Sequence, residues 1–236
     1  PNRFGLVFPT EDFNCSLLLI NEDVSGSSES QGVAHRLRAM LVLRTWRLFS
    51  MQKTAAVSTK TKLSIIGTAG LAFCGVLVET SLNVTFPTLM KEFHQSLNNV
   101  QWVTTAYLLA VAATMTVTAF AQRRFKARNL LLTAGILFVI GVCICVSAPS
   151  LTALLIGRII QGFSTGLAMP MLFAIIMQQV PLNLQGRYMG TGGMAIALAP
   201  SLGPTYGGIV TQALGWQLIF WITLPLGILS CLLAVV

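Results

Sequence analysis

The chain has 236 residues, 54% of them apolar and 9% charged, with mean hydropathy +0.75, whereas a soluble domain carries about 25% charge. So few charges do not cover a water-soluble fold, which excludes an ordinary soluble enzyme and places the chain in a lipid bilayer. The net charge of +8 does not indicate nucleic acid, because the basic residues are scattered between apolar runs and form no continuous patch.

Residues 1–50 stand apart. They hold five basic and five acidic residues, a Ser/Gly-rich stretch at 25–32, and no apolar run long enough to span a bilayer. The run from Leu17 to Ile20 is too short for the apolar part of a signal peptide. At Met51 the composition turns to MQKTAAVSTKTK, a short basic lead into a long apolar run. Met51 is therefore the expected biological start, with 1–50 a doubtful or disordered extension and 51–62 a cytoplasmic segment. An interfacial stretch at residues 41–49 (LVLRTWRLF) is the competing reading.

Six apolar stretches follow, at 63–87, 101–121, 130–148, 151–177, 188–212 and 216–236. Each is near the ~20 residues that a helix needs to cross about 30 Å of hydrocarbon. Only helices or closed barrels satisfy backbone polar groups in lipid, and runs this long and unalternating are not barrel strands. The predicted fold is thus an all-α integral membrane bundle of six transmembrane helices. Five cysteines at Cys15, Cys74, Cys143, Cys145 and Cys231 lack metal-ligand spacing, and four lie in apolar runs, where they read as small packing residues.

Orientation follows from the basic residues. With the N-terminus inside, Lys53, Lys60, Lys62, Arg123, Arg124, Lys126, Arg128 and Arg187 all fall on the cytoplasmic side, against Lys91 alone outside. Such a bias predicts a cytoplasmic N-terminus in a multi-pass protein of the cell membrane.

Two charges lie well inside apolar helices, Glu79 in the first and Arg158 in the fourth. Each costs about 2.5–3.5 kcal/mol at mid-helix on an insertion scale, so each is expected to face a partner or a water-filled cavity. Counted from the helix ends, both sit roughly 10–12 Å below the outer surface at ~1.5 Å per residue. They are predicted to face one interior and to pair directly or through Asn83 or Gln161, which share a helix face with Glu79 and Arg158 respectively. A proton-coupling site and a structural ion pair are the two readings of that arrangement.

Small residues mark the fourth and fifth helices. Gly162 and Gly166, and then Ala195, Ala199, Gly203 and Gly207, recur every fourth position and allow close backbone approach in lipid. Pro200 and Pro204 are expected to interrupt the fifth helix and to bend it, which adds gating to the packing reading.

These residues resemble the N-terminal half of a major facilitator superfamily transporter, and within it the fourteen-helix drug:proton antiporters and their lincomycin-resistance-like branch. The stretch from Val78 to Pro87 (VETSLNVTFP) is similar to the motif LDxTIVNVALP, with Glu79 in place of the usual Asp. Arg158-Ile159-Ile160-Gln161-Gly162 is similar to RxxQG. Gly190, Ala199, Gly203, Pro204, Gly207 and Gly208 resemble the antiporter motif of the fifth helix, with Ala199 where Gly is usual. Gly215-Trp216-Gln217 resembles the GWR that opens the sixth, with Gln217 departing from Arg. The loop of Arg123, Arg124, Lys126 and Arg128 keeps the basic character of its counterpart but lacks the acid.

The resemblance implies two inverted three-helix repeats, 63–148 and 151–236. It also implies proton-driven efflux of hydrophobic or amphiphilic drug-like compounds, with Glu79 binding the proton and Arg158 as its partner. No cofactor is implied beyond the proton gradient. Because the sixth stretch reaches Val236, the chain is expected to be truncated, inactive alone, and completed by a C-terminal half across the substrate site. Phe163, Met169, Met171 and Tyr107 are candidates to line a pocket, with core or lipid contact as the alternative. The rivals are a proton-linked metabolite carrier and a non-transporting receptor or scaffold. A membrane enzyme is disfavoured because the two histidines, His35 and His94, lie outside the helices.

Overall fold

The computed structural model describes residues 57–235, so the expectations for residues 1–50 and for a start at Met51 lie outside the described residues. Six helices follow in chain order: α1 Thr59–Glu92, α2 Leu97–Arg124, α3 Ala127–Val146, α4 Leu151–Gln179, α5 Leu182–Leu214 and α6 Gln217–Val235. Among the described residues there is no strand. Five of the six are long and apolar enough to cross a bilayer by length and composition; α5 is not among them. Gln185, Arg187, Thr191 and a series of glycines dilute its apolar content.

Most helices outrun the apolar stretches that foretold them. α1 continues past Pro87 to Glu92, and α5 begins at Leu182 rather than near 188. Apolar runs mark only the part suited to hydrocarbon, whereas a nucleated helix gains a hydrogen bond with each residue added. The expected interruption of α5 is corrected too, since it is one helix through Pro200 and Pro204. Both prolines are exposed, while Ala199, Gly203 and Gly207 beside them are buried. That tight contact carries the helix across the missing hydrogen bonds.

Packing centres on α1 and α4. α1 packs on α5 and α6, α4 packs on α2 and α3, and the α1/α4 and α3/α6 pairs close the bundle. Exchanging α1–α3 with α4–α6 converts the α2/α4 pair into α5/α1 and the α3/α4 pair into α6/α1. The main contacts therefore map onto one another, as a repeated three-helix unit requires. Hydroxyls inside the helices bond their own backbone: Thr68 donates to the Ser64 carbonyl at 2.7 Å, and Thr118 to that of Thr114 at 2.6 Å. Leu71, Leu82, Phe138, Leu154, Leu172 and Phe220 fill the core between these contacts.

Candidate functional site

Arg158, on α4, is 0% exposed, and its surroundings come from three helices. Its Nη1 donates to Gln161 Oε1 at 2.7 Å, one turn along the same face. The ring of Tyr107, from α2 and 1% exposed, lies against the guanidinium with its centroid 4.0 Å from Cζ. The Tyr107 hydroxyl donates to Thr165 Oγ1 at 3.1 Å, and Thr165 donates to the Gln161 carbonyl at 3.2 Å. Cys145 of α3 completes the enclosure, its Sγ 4.0 Å from Gln161 Oε1. Arg158 Nε and Nη2 and Gln161 Nε2 remain buried without a hydrogen-bond partner.

Glycines bring these helices close enough for that enclosure. A Cβ at Gly162 would come within 2.7 Å of the Tyr107 carbonyl oxygen, and one at Gly166 within 2.7 Å of the Val111 carbonyl oxygen. A Cβ at Gly141 of α3 would meet Gln161 Cγ at 2.7 Å. α2 and α3 can therefore both seat against one face of α4.

Glu79 is half-buried on α1, which packs directly on α4. Among the described residues it has no hydrogen bond and no ion pair, so the expected direct contact with Arg158 is not made in this structure. Gln161 does stand beside Arg158. Asn83 instead accepts from Thr104 Oγ1 of α2 at 3.0 Å, because its position on α1 turns toward α2.

The four α5 glycines of the antiporter-like motif divide into two groups. Gly203 and Gly207 lie against α1, where a Cβ at Gly203 would collide with Thr80 Oγ1 and one at Gly207 with the Ser81 backbone. Ser81 Oγ donates to the Gly203 carbonyl at 3.0 Å across this contact. Gly190 has no atom within 4 Å of a would-be Cβ, Gly208 has only Val84 Cγ1 at 3.9 Å, and Pro204 is exposed. Tyr107 and Met171 are buried in the bundle, so core contact describes them and not an open pocket; Phe163 is exposed.

The two ends of the bundle differ in charge. Lys60, Lys62, Arg123, Arg124, Lys126, Arg128 and Arg187 are exposed at the end carrying the α2–α3 and α4–α5 connections. At the other end, Glu92 closes α1 and accepts hydrogen bonds from Trp216 Nε1 and, at 3.1 Å, from Gln217 Nε2. Trp216 is buried between Phe93 and Phe220, with ring centroids 5.9 and 6.2 Å away. This clasp joins α1 to α6. A groove of about 480 Å³ opens beside it, lined by Glu92, Phe93, Gln95, Asn99, Trp102 and Leu155 among others, and does not reach Arg158.

The sequence profile of the Major Facilitator Superfamily matches residues 68–236. The chain belongs to the Major Facilitator Superfamily. Among relatives within the superfamily, the lincomycin resistance protein LmrB of Bacillus subtilis (strain 168) is 36% identical over 76% of this chain and 38% of its own length. The riboflavin transporter RibZ of Clostridioides difficile (strain 630) is 30% identical over 69% of this chain and 36% of its own. The chain spans about a third of the length of the curated relatives it matches. A solved D-xylose-proton symporter superposes with TM-score 0.60 at 16% identity, covering 74% of this chain and 46% of that one, a likeness of fold alone.

Sequence spacing places Gln161 beside Arg158 but does not reveal Tyr107, Thr165 or Cys145 as part of the same enclosure. Thr165, four residues after Gln161, carried a usable signal. Tyr107 carried none, since its role depends on how α2 is rotated against α4.

Proposed function

We propose that this chain forms part of a proton-coupled exporter of hydrophobic or amphiphilic drug-like compounds, with Glu79 as the proton site and Arg158 as its electrostatic partner. The carrying observation is Arg158 itself: a fully buried cation with two unpaired nitrogens, on a helix packed against the one that holds Glu79. An ion so placed needs a partner of opposite charge, and Glu79 is the only acid within the spans among the described residues, Glu92 being at the end of α1. When α1 and α4 separate, the carboxylate loses the favourable field and takes up a proton; when they close, it gives the proton up. Proton movement is thereby tied to helix movement.

The close α1/α5 contact at Gly203 and Gly207 is the proposed moving interface, next in sequence to Glu79 through Thr80 and Ser81. The basic end is proposed to face the cytoplasm, which puts the N-terminus on the cytoplasmic side of the cell membrane. The substrate path is proposed to lie between this bundle and a second helical bundle, supported by relatives of whose length this chain matches only about a third. The lincomycin-resistance relative supports a drug-like substrate. The riboflavin-transporter relative favours a second reading, carriage of a metabolite with a flat aromatic ring system.

Accumulation of a fluorescent amphiphilic cation and of riboflavin in cells expressing the protein separates the two. The proposal predicts lowered accumulation of the cation, abolished by a protonophore and by Glu79→Gln. Unchanged efflux in Glu79→Gln removes the proton-site assignment.

A further inference from the structure

Tyr107 is a buried titratable side chain with no place in the proton relay just described, and its position is specific. Its ring covers one face of the Arg158 guanidinium at 4.0 Å, and its hydroxyl is tied through Thr165 to the backbone of Gln161. Gln161 in turn holds Arg158 Nη1. The arginine is thus gripped on its face by α2 and on its edge by its own helix, while Nε and Nη2 stay free of protein acceptors. A long side chain with four rotatable bonds does not hold such a pose unaided; a desolvated aromatic face attracts and flattens a guanidinium against it. Gly162 lets α2 approach near enough for this, since any Cβ there would press on the Tyr107 carbonyl.

We propose that Tyr107 is the positioning residue of Arg158: its ring keeps the guanidinium in the α2/α3/α4 enclosure and away from direct contact with Glu79, leaving two nitrogens available. This rests on the reading of Arg158 as the partner of the proton site. The titratable groups around Arg158 are Tyr107 from α2, Cys145 from α3 and Glu79 from α1; α5, which also packs on α4, brings none among the described residues.

The test needs a readout independent of transport, and Cys145 supplies one, because its thiol is buried against Gln161. In full-length protein retaining Cys145 as its sole cysteine, labelling by a small membrane-permeant thiol reagent reports whether the enclosure is closed. Tyr107→Leu removes the ring and is expected to raise the labelling rate by about thirtyfold, the factor that loss of a desolvated cation–π contact corresponds to. Tyr107→Met is the substitute if the leucine variant does not accumulate. Tyr107→Phe keeps the ring and is expected to restore protection. In the same variants the midpoint of the pH dependence of transport is expected to move by about one pH unit toward acid without the ring, because the released guanidinium then approaches the Glu79 carboxylate. Labelling that stays slow in Tyr107→Leu, or that rises equally in Tyr107→Phe, overturns the positioning role. If wild-type transport shows no pH dependence, the proton-coupled reading fails instead, and the labelling result still decides the role of Tyr107.

Discussion

Replacing single α5 glycines by alanine separates close packing from mere helix flexibility. At Gly207 a new Cβ would lie 2.5 Å from the Ser81 carbonyl oxygen and 2.8 Å from its Cα. Both are backbone atoms of a buried helix, so no rotamer change relieves the overlap, and α1 and α5 must move apart. Overpacking of this kind costs about 1–3 kcal/mol, and the backbone contact puts Gly207→Ala at the upper end. Gly190→Ala meets no atom within 4 Å and instead gains helix propensity, roughly 0.5–1 kcal/mol. The two variants should therefore shift stability in opposite directions and differ by about 4 kcal/mol. Thermal unfolding of detergent-purified protein, followed by tryptophan fluorescence, reads this as a Tm lowered in Gly207→Ala and unchanged or raised in Gly190→Ala. Equal Tm values would refute the argument from close α1/α5 approach. Lower transport in a stable Gly190→Ala would show that this glycine serves motion and not packing.

Further outcomes follow from the other contacts. Glu92→Ala strips the acceptor from Trp216 and Gln217 and leaves a buried indole N–H unpaired, which should destabilise by about 1–3 kcal/mol and shift the Trp216 contribution to the emission spectrum; an unchanged Tm contradicts the clasp. Gln217→Arg restores a cation opposite Glu92 and should raise Tm slightly, by the roughly 0–1 kcal/mol of an exposed pair, with the gain lost at high salt. Arg158→Lys keeps the charge but loses the planar fork and the stack on Tyr107, so substrate efflux should fall sharply while expression persists; wild-type efflux in this variant would mean that charge alone suffices. Gly166→Leu forces α2 from α4 at Val111 and Thr114 and is expected to abolish stable expression, measured by size-exclusion chromatography.

The bundle was legible in the sequence because lipid demands about 20 apolar residues per span, and six such runs are plain between residues 63 and 236. Their ends were less legible, since the turns of α1 beyond Pro87 and of α5 before residue 188 are helical but not apolar. The neighbourhood of Arg158 was half legible: a spacing of three fixes Gln161 on the same face, whatever the tertiary packing. Tyr107 and Cys145 come from other helices, and their arrival depends on axial rotation and crossing angle, which no periodicity encodes. The same reason explains Asn83, which shares a face with Glu79 by spacing yet bonds Thr104, because α2 lies on that side. The clasp of Glu92 with Trp216 joins positions 124 residues apart. No spacing or periodicity points to it.

The most direct test of the Glu79–Arg158 coupling is proton release on substrate binding, measured with a pH indicator in weakly buffered, detergent-purified protein. Wild-type protein should release protons on addition of a transported amphiphile, and Glu79→Gln should release none while still binding it by equilibrium dialysis. Equal release from Glu79→Gln and wild type would contradict Glu79 as the proton site and leave Arg158 a structural ion.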